Sequence, residues 1–325
     1  MRKAYAIADF LSEDNRKMMS AAAGECGFEI SFFDSAAEAS GKVADAEVAY
    51  TDGAAILAEM PGLRWCHSAY AGAGGFIKSG IFSSGEVLLT NSSGAYGVTI
   101  SEHIIMVTLM LMRRMPEYLR ITAERRWLQE LPIRSVRGSS IAIAGTGDIG
   151  SNAAKRYKAL GAERVIGFSR SGSTREGFDA VYKLSEFEEV IGGMDAADKP
   201  DVLLLCLPGT PMTKGFLNAE KLALLPEKTL VINVGRGMVI DQDALIQALN
   251  EGRIAGAALD VVYPEPLPED HPLWTAKNCL ITPHCSGDMG LPYTVGVTVD
   301  IFCDNLRRYV RGEKLTHLVD IEAGY

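Results

Sequence analysis

The stretch SIAIAGTGDIGSNAAKRYKALGA, residues 140–162, decides the fold of the second half of the chain. It starts as a short apolar run typical of a buried strand, continues with Gly145, Gly147 and Gly150, and ends as a helix; RVIGFSR then predicts the next strand. A lone G-x-G-x-x-G is weak in a chain with 33 glycines, but here it has the strand–helix context of a dinucleotide-binding turn.

Each glycine of this loop has a distinct expected role. Gly145 allows the tight turn, Gly147 lets the backbone approach a pyrophosphate, and Gly150 lets helix and strand pack closely. The first turn of the helix then offers free N–H groups to the phosphates. The alternative is an ordinary turn between a strand and a helix.

Strands and helices alternate on both sides of this loop. Downstream, DVLLLCLP, TLVINVG, IAGAALDVV and CLITPHCSG read as strands separated by helical segments, which predicts a doubly wound parallel sheet. Upstream, KAYAIADF, FEISFFD, AEVAYTD, LRWCHSAY and VLLTNSS repeat the pattern. The predicted fold class is therefore α/β, with two doubly wound parallel-sheet domains.

A long helix is predicted between the two series, from Thr99 to Arg120, with Thr99 or Ser101 as its N-cap. Its middle is apolar on nearly all sides, so we expect it to be buried against either a sheet of its own subunit or a partner subunit. The helical segment TVGVTVDIFCDNLRRYVRG lies beyond the second series, and its return to the first domain would make that domain discontinuous.

Length and composition restrict the possible functions. The 325 residues favour two domains, and the net charge of −9 without a basic tract argues against nucleic acid or an anionic membrane as the main partner. The longest apolar run, residues 104–112, is too short to span a bilayer. The six cysteines have no zinc-like spacing, so we expect no metal site and reduced thiols in a cytoplasmic protein.

Three residues at predicted strand ends suggest a reaction. Arg236 lies between two glycines after TLVINV, Glu265 lies between two prolines, and His284 follows a strand and a proline. Open α/β sheets bind ligands at the carboxyl ends of their strands, where an arginine can hold a carboxylate through two parallel hydrogen bonds. A structural pairing of Arg236 with Asp241 or Asp243 is the alternative.

These motifs resemble the D-isomer-specific 2-hydroxyacid dehydrogenases. The similarity rests on GTGDIG, LPGTPMTKGFLN, VINVGRGMVID, ALDVVYPEPLPEDHPLW, ITPHCSG and NLRRYVRGEKL, in this order, and it extends from about residue 64 to the C-terminus. It implies a Rossmann cofactor domain, residues 98–284, inserted into a flavodoxin-like substrate domain formed by residues 1–97 and 285–325. It also implies a homodimer formed through the helix around residues 101–115.

The resemblance also implies roles for single residues. His284 matches the general acid/base, Glu265 its hydrogen-bonding partner, and Arg236 the arginine that binds the substrate carboxylate and carbonyl. Backbone N–H groups of Ala73 and Gly74 match the substrate loop. The family usually reads Gly-Val-Asp there, whereas this chain reads Gly74-Gly75-Phe76, so the usual aspartate is absent.

A larger set of residues matches the positions that contact the dinucleotide in the family. These are Gly145, Gly147, Asp148, Ile149, Gly150, Ser169, Arg170, Leu207, Pro208, Thr213, Val234, Gly235, Asp260 and Gly287.

The residues after the second strand of the dinucleotide fold predict the cofactor. NAD-dependent members have an acidic residue there, about 20 residues after the glycines, and it binds the ribose 2′-hydroxyl. This chain has Ser169 and Arg170 instead, with Ser171 and Arg175 close in sequence, so a 2′-phosphate would be attracted rather than repelled. We therefore expect NADP to be preferred, with NAD as a possible second cofactor.

The expected reaction is hydride transfer between NAD(P)H and a small 2-keto acid, such as glyoxylate or hydroxypyruvate, to give a D-2-hydroxy acid. A short phosphoglycerate or D-lactate dehydrogenase is the alternative within enzymes. A dinucleotide-sensing corepressor-like binding protein is the alternative of a different class, although the chain has no long disordered extension for partner peptides.

Overall fold

A computed structural model of the protein describes residues 1–322. Its strands are β1 (Arg2–Ile7), β2 (Phe28–Phe33), β3 (Val48–Thr51), β4 (Trp65–Ser68), β5 (Leu88–Thr90), β6 (Ser140–Ala144), β7 (Arg164–Ser169), β8 (Ala180–Lys183), β9 (Val202–Leu205), β10 (Leu230–Asn233), β11 (Gly256–Leu259) and β12 (Cys279–Ile281). Its α-helices are α1 (Glu13–Glu25), α2 (Ala36–Ala39), α3 (Gly74–Lys78), α4 (Gly97–Met112), α5 (Met115–Ala123), α6 (Asp148–Ala159), α7 (Phe187–Gly192), α8 (Ala219–Ala223), α9 (Gln242–Asn250) and α10 (Pro292–Val310).

The chain divides into two compact units. The first consists of Met1–Tyr96 together with the chain from Asp288 onward, and the second is Gly97–Gly287. Within the described residues, the first unit contains a parallel sheet of order β2-β1-β3-β4-β5 and the second a parallel sheet of order β12-β11-β10-β9-β6-β7-β8. The predicted fold class, two doubly wound parallel-sheet domains, is confirmed.

Both faces of the first sheet are buried because its strand residues alternate between two apolar cores. In β1, Ala4 and Ala6 join a core that includes α1 and α10, whereas Tyr5 and Ile7 join the core on the opposite face. Phe302 of α10 is fully buried and its ring stacks on that of Trp65 with centroids 5.3 Å apart. The last helix therefore belongs to the first unit, and that unit is discontinuous in sequence.

The second sheet has an edge strand, β8, that the sequence pattern did not predict. Only four residues long and half-buried, it pairs with β7 through Phe168↔Tyr182 and Ser169↔Lys183. The inner strands β9, β10 and β11 are buried along their whole length, which explains why their near-continuous apolar sequences were recognisable.

The prediction of one helix from Thr99 to Arg120 is wrong. The helix begins at Gly97 and ends at Met112, and α5 starts at Met115 after Arg114, which has a left-handed φ of 57°. Pro116 explains the break, because it cannot donate to the carbonyl of Met112 and its ring disfavours helical backbone before it.

The predicted N-caps, Thr99 and Ser101, lie inside α4, where the Ser101 hydroxyl donates to the carbonyl of Val98 at 2.8 Å. Ile104 and Val107 of α4 are buried within the described chain, whereas Met106 and Leu109 are exposed, so burial of that side against a partner subunit stays a prediction. Within residues 1–322, no helix has the length and apolar character needed to cross a membrane.

Candidate active site

The carboxyl ends of β10, β11 and β12 bring the predicted reactive residues to one edge of the second sheet. The three strands are neighbours, and their last residues are in register through Asn233↔Leu259 and Leu259↔Ile281. Arg236 follows β10, Asp260 directly follows β11, and His284 follows β12. Parallel strands open their ligand sites at this edge.

His284 and Glu265 form a hydrogen-bonded pair. Nδ1 of His284 lies 2.8 Å from Oε2 of Glu265, whose other oxygen accepts from the backbone N–H of Val262 at 3.0 Å. The histidine side chain is 49% exposed and the glutamate side chain 38%, so a ligand can reach both. Glu265 thus fixes the orientation of the ring and leaves Nε2 as the nitrogen that can exchange a proton with a substrate.

Asp260 organises the segment that contains His284. Its side chain is fully buried, and its carboxylate accepts from the Thr282 hydroxyl (2.6 Å) and from the backbone N–H groups of Cys285 (3.0 Å) and Ser286 (3.1 Å). Its carbonyl accepts from the N–H of His284 at 2.8 Å. Three consecutive amides are therefore held by one residue, which keeps His284 at a left-handed φ of 53°.

The same hydrogen bonds keep Asp260 ionised. Burial alone would raise the pKa of this carboxyl group, but hydrogen bonds from Ser286, Thr282 and Cys285 outweigh that effect and hold the pKa below its ordinary value. The site therefore contains a buried negative charge beside the histidine segment.

Arg236 is exposed, and its local backbone is held by buried Asn233. The amide of Asn233 donates to the carbonyl of Arg236 and accepts from the N–H of Gly235, both at 3.0 Å. A side chain at position 235 would lie 2.5 Å from the carbonyl oxygen of Leu207, and Gly237 abuts the backbone of Val262. Both flanking glycines are therefore required by close packing.

The alternative structural role of Arg236 is not found. Asp241 caps α9 by accepting from the N–H of Ala244, and within residues 1–322 no carboxylate lies within 4.0 Å of the Arg236 guanidinium. The guanidinium donates to the carbonyl of Gly235 at 2.7 Å and keeps further donors for a ligand.

The glycine loop after β6 has room for a dinucleotide. Gly145 has a φ of 101°, and a side chain there would lie 2.6 Å from the carbonyl oxygen of Cys206, while Gly150 abuts the Gly145 carbonyl. Gly147, by contrast, has open space around it and precedes α6 without a side-chain cap. The N–H groups at the start of α6 therefore fit the pyrophosphate of a dinucleotide.

A model of the family described as D-isomer specific 2-hydroxyacid dehydrogenase, NAD binding domain, matches residues 105–286. The chain belongs to the D-isomer-specific 2-hydroxyacid dehydrogenases. It is 30% identical over 275 residues to glyoxylate/hydroxypyruvate reductase A of Photorhabdus laumondii, with 83% of this chain and 84% of that protein covered.

Solved structures of the family have the same fold over the whole chain. A family protein from Aeromonas salmonicida superposes with a TM-score of 0.84 at 30% identity, covering 99% of this chain and 100% of that one. A family dehydrogenase from Xanthobacter autotrophicus, in complex with NADPH and MES, superposes with a TM-score of 0.82 at 28% identity, with both chains fully covered. The chain is thus an NAD(P)-dependent oxidoreductase, as the sequence motifs predicted.

The remaining cofactor residues predicted for the dehydrogenase also follow strands of the second sheet. Ser169 ends β7, where its hydroxyl accepts from the N–H of Gly172 at 3.0 Å, and exposed Arg170 is the next residue. The hydroxyl of buried Thr213 donates to the carbonyl of Pro208 at 2.5 Å and closes the loop after β9. The other predicted positions in these loops are Asp148, Ile149, Leu207, Val234 and Gly287.

The predicted substrate loop of the dehydrogenase lies in the first unit. Ala73 is buried and precedes the short helix α3, which begins at Gly74. Phe76 stands where the family usually has aspartate, and its side chain is 3% exposed in an apolar core of this unit. Burial of an aromatic ring therefore anchors the loop here in place of a polar side chain.

Two site residues of the dehydrogenase were missed by sequence reasoning. Thr282 donates to Asp260, and His103 of α4 approaches both of them. Thr282 could have been suspected from its place two residues before His284, whereas no sequence signal connects His103, which is 179 positions from Thr282, to the site.

Proposed function

We propose that the protein uses NADPH to reduce a small 2-keto acid, of the size of glyoxylate or hydroxypyruvate, to the D-2-hydroxy acid. The observation that carries the proposal is the 2.8 Å His284–Glu265 pair at the sheet edge where Arg236 and the glycine loop also lie. The similarity to glyoxylate/hydroxypyruvate reductase A supports the size of the substrate. The second unit would bind the cofactor.

The proposed mechanism assigns binding to Arg236 and proton transfer to His284. Arg236 binds the carboxylate of the substrate and polarises its keto oxygen through charge-assisted hydrogen bonds. The hydride would come from a reduced nicotinamide bound in the second unit. Nε2 of protonated His284 gives a proton to the oxygen on which negative charge develops, while Glu265 stabilises the imidazolium through Nδ1. In the reverse direction, neutral His284 accepts the hydroxyl proton.

A substrate panel tests the function directly. Glyoxylate, hydroxypyruvate, pyruvate, phenylpyruvate and 3-phosphohydroxypyruvate are to be tried with NADPH and NADH, with chiral analysis of every chiral product. We expect turnover of glyoxylate or hydroxypyruvate, with a D product from hydroxypyruvate. An L product, or turnover of only 3-phosphohydroxypyruvate or pyruvate, would replace this proposal by another dehydrogenase, and dinucleotide binding without any turnover would favour a sensing protein.

The cofactor preference is tested by Arg170→Ala. The Arg170 guanidinium would pair with the 2′-phosphate of NADPH, and loss of a charge-assisted hydrogen bond costs about 1.5–3 kcal/mol. We expect kcat/KM for NADPH to fall about 10- to 100-fold, because that energy is lost, while kcat/KM for NADH changes little. Steady-state kinetics with both cofactors measure this effect.

Arg164→Ala is the matched control, because Arg164 begins the strand that Ser169 ends. It should leave the ratio of NADPH to NADH activity unchanged. A wild-type preference for NADH, or an equal loss with both cofactors in Arg170→Ala, contradicts this role of Arg170.

The proposed assembly is a homodimer formed through α4, α5 and the residues that follow. Large apolar side chains are exposed along this part of the chain, as is typical of an interface. They are Met106, Leu109, Met115, Leu119, Trp127, Leu128 and Ile133. The proposed compartment is the cytoplasm.

The double variant with Met106→Glu and Leu109→Glu is expected to be a monomer, because it would place two charges in an apolar interface. Light scattering would then report 35.0 kDa instead of twice that mass. Met18→Glu, at an equally exposed methionine of α1, should stay dimeric. A monomeric wild type contradicts the proposed assembly.

A further inference from the structure

A chain of polar contacts connects α4 to the segment that contains His284. Nε2 of His103 lies 3.3 Å from the Thr282 hydroxyl oxygen, and that hydroxyl lies 2.6 Å from Oδ1 of Asp260. The direct distance from Nε2 of His103 to Oδ1 is 4.0 Å, so the threonine is the intermediate. The contacts are shielded from water, because the side chain of His103 is 11% exposed and that of Asp260 is fully buried.

The direction of these hydrogen bonds follows from a count of protons. The Asp260 carboxylate is ionised and can only accept, so the single proton of the Thr282 hydroxyl is donated to it. The threonine oxygen then has only acceptor capacity left for His103. His103 must therefore carry a proton on Nε2 and donate it towards Thr282.

Asp260 connects the contacts of His103 and Thr282 to the backbone of residues 284–286. Its carboxylate also holds the N–H groups of Cys285 and Ser286, and its carbonyl holds that of His284. A rotation of the Asp260 carboxylate would therefore weaken the bonds that keep His284 in its left-handed backbone conformation. His103, two contacts away, acts on the same geometry without touching a substrate.

We propose that His103 is a positioning residue, which holds the Asp260 carboxylate through Thr282 and thereby fixes the backbone of His284. We call the contacts from His103 through Thr282 to Asp260 the relay. The effect of the relay on turnover rests on the proposed function, whereas its effect on the backbone at residues 284–286 does not. The relay also makes α4, the helix of the proposed dimer interface, part of the support of the catalytic histidine.

The donor to Thr282 is tested with two variants of His103. His103→Leu removes the donor at similar volume, and His103→Gln keeps an N–H at a similar reach. Loss of a neutral hydrogen bond corresponds to about a 3- to 10-fold change, so we expect His103→Leu to lower kcat by that factor with KM for the keto acid nearly unchanged. His103→Gln should restore most of the lost kcat.

The intermediate is tested with variants of Thr282. Thr282→Val removes a hydrogen bond to a charged group and should lower kcat about 10- to 100-fold, whereas Thr282→Ser keeps the hydroxyl and most of the activity. The double variant with His103→Leu and Thr282→Val should be no slower than Thr282→Val alone, since His103 acts only through Thr282. If His103→Leu does not fold, the kcat of Thr282→Val, compared with that of Thr282→Ser, still tests whether the Thr282 hydroxyl supports the catalytic histidine.

Hydrogen exchange separates this proposal from the proposed function, because it needs no substrate. In the free protein, His103→Leu should accelerate exchange of the amides at residues 284–286 about 3- to 10-fold. Thr108→Val is the matched control, because it removes a buried hydrogen bond of the same helix, to the Tyr157 hydroxyl at 2.7 Å, and should leave these amides unchanged.

The relay is overturned if His103→Leu exchanges and turns over like wild type, if His103→Gln is as impaired as His103→Leu, or if the two single effects add in the double variant. If wild type reduces no keto acid but His103→Leu still accelerates exchange at residues 284–286, the proposed function fails and the relay stands.

Discussion

Replacement of His284 by alanine is expected to lower kcat by at least about 100-fold while the affinity for NADPH changes little. The lost effect is proton transfer to the keto oxygen, which contributes about 10²–10⁴-fold when the acid is positioned by a partner such as Glu265. Cofactor binding should persist because the glycine loop follows β6 and Arg170 follows β7, whereas His284 follows β12. Single-turnover kinetics and NADPH fluorescence measure the two quantities separately.

Glu265→Gln tests the contribution of the hydrogen-bonding partner of His284. A glutamine oxygen can still accept from Nδ1 of His284, but the amide NH2 group then cannot accept from the N–H of Val262, and the side chain has no negative charge to stabilise the imidazolium. We expect this variant to be slower than wild type and faster than His284→Ala. Unchanged kcat in His284→Ala, under conditions where chemistry limits the rate, would remove His284 from the mechanism.

The parts of the fold that sequence could predict are those that repeat a local pattern. Buried inner strands read as apolar runs, and the glycine loop showed where strand, turn and helix meet. Arg236, Asp260 and His284 could be placed together from the sequence alone, because each follows a strand and the ends of parallel strands share one edge.

The parts that sequence could not predict depend on tertiary packing. The edge strand β8 has only four residues and is half-buried, so its sequence pattern is weak. The break after Met112, by contrast, has sequence signals that the prediction of one helix passed over, because the apolar run ends at that residue and Pro116 follows. The contact of His103 with Thr282 joins positions 179 apart, which no periodicity reveals.

The hydrogen bonds from three backbone amides to Asp260 are another feature that the sequence did not predict. The sequence places this residue at a strand end, and the resemblance gives it a contact with the dinucleotide. Its hydrogen bonds to Cys285 and Ser286 show a second task, since they hold the backbone beside His284. An aspartate predicted as a cofactor contact is thus also a structural support of the catalytic residue.

Arg236→Lys is expected to lower kcat/KM for the keto acid by about 100-fold or more, through both a higher KM and a lower kcat. A guanidinium grips a carboxylate with two parallel hydrogen bonds and leaves donors for the keto oxygen, whereas an ammonium is a point charge on a flexible chain. Each charge-assisted hydrogen bond contributes about 1.5–3 kcal/mol, so loss of one accounts for about 10- to 100-fold and poorer orientation adds to it.

Separate measurements of kcat, KM and the melting temperature distinguish substrate binding by Arg236 from a purely structural role. Arg236 makes no ion pair within residues 1–322, and its side-chain hydrogen bond to the Gly235 carbonyl lies within its own turn. Lysine should therefore leave the melting temperature nearly unchanged. Arg253→Lys, at a surface arginine paired with Glu251, is the matched control and should change neither stability nor kinetics. If Arg236→Lys keeps wild-type kcat and KM, the guanidinium does not hold the substrate, and the carboxylate must be bound by another group.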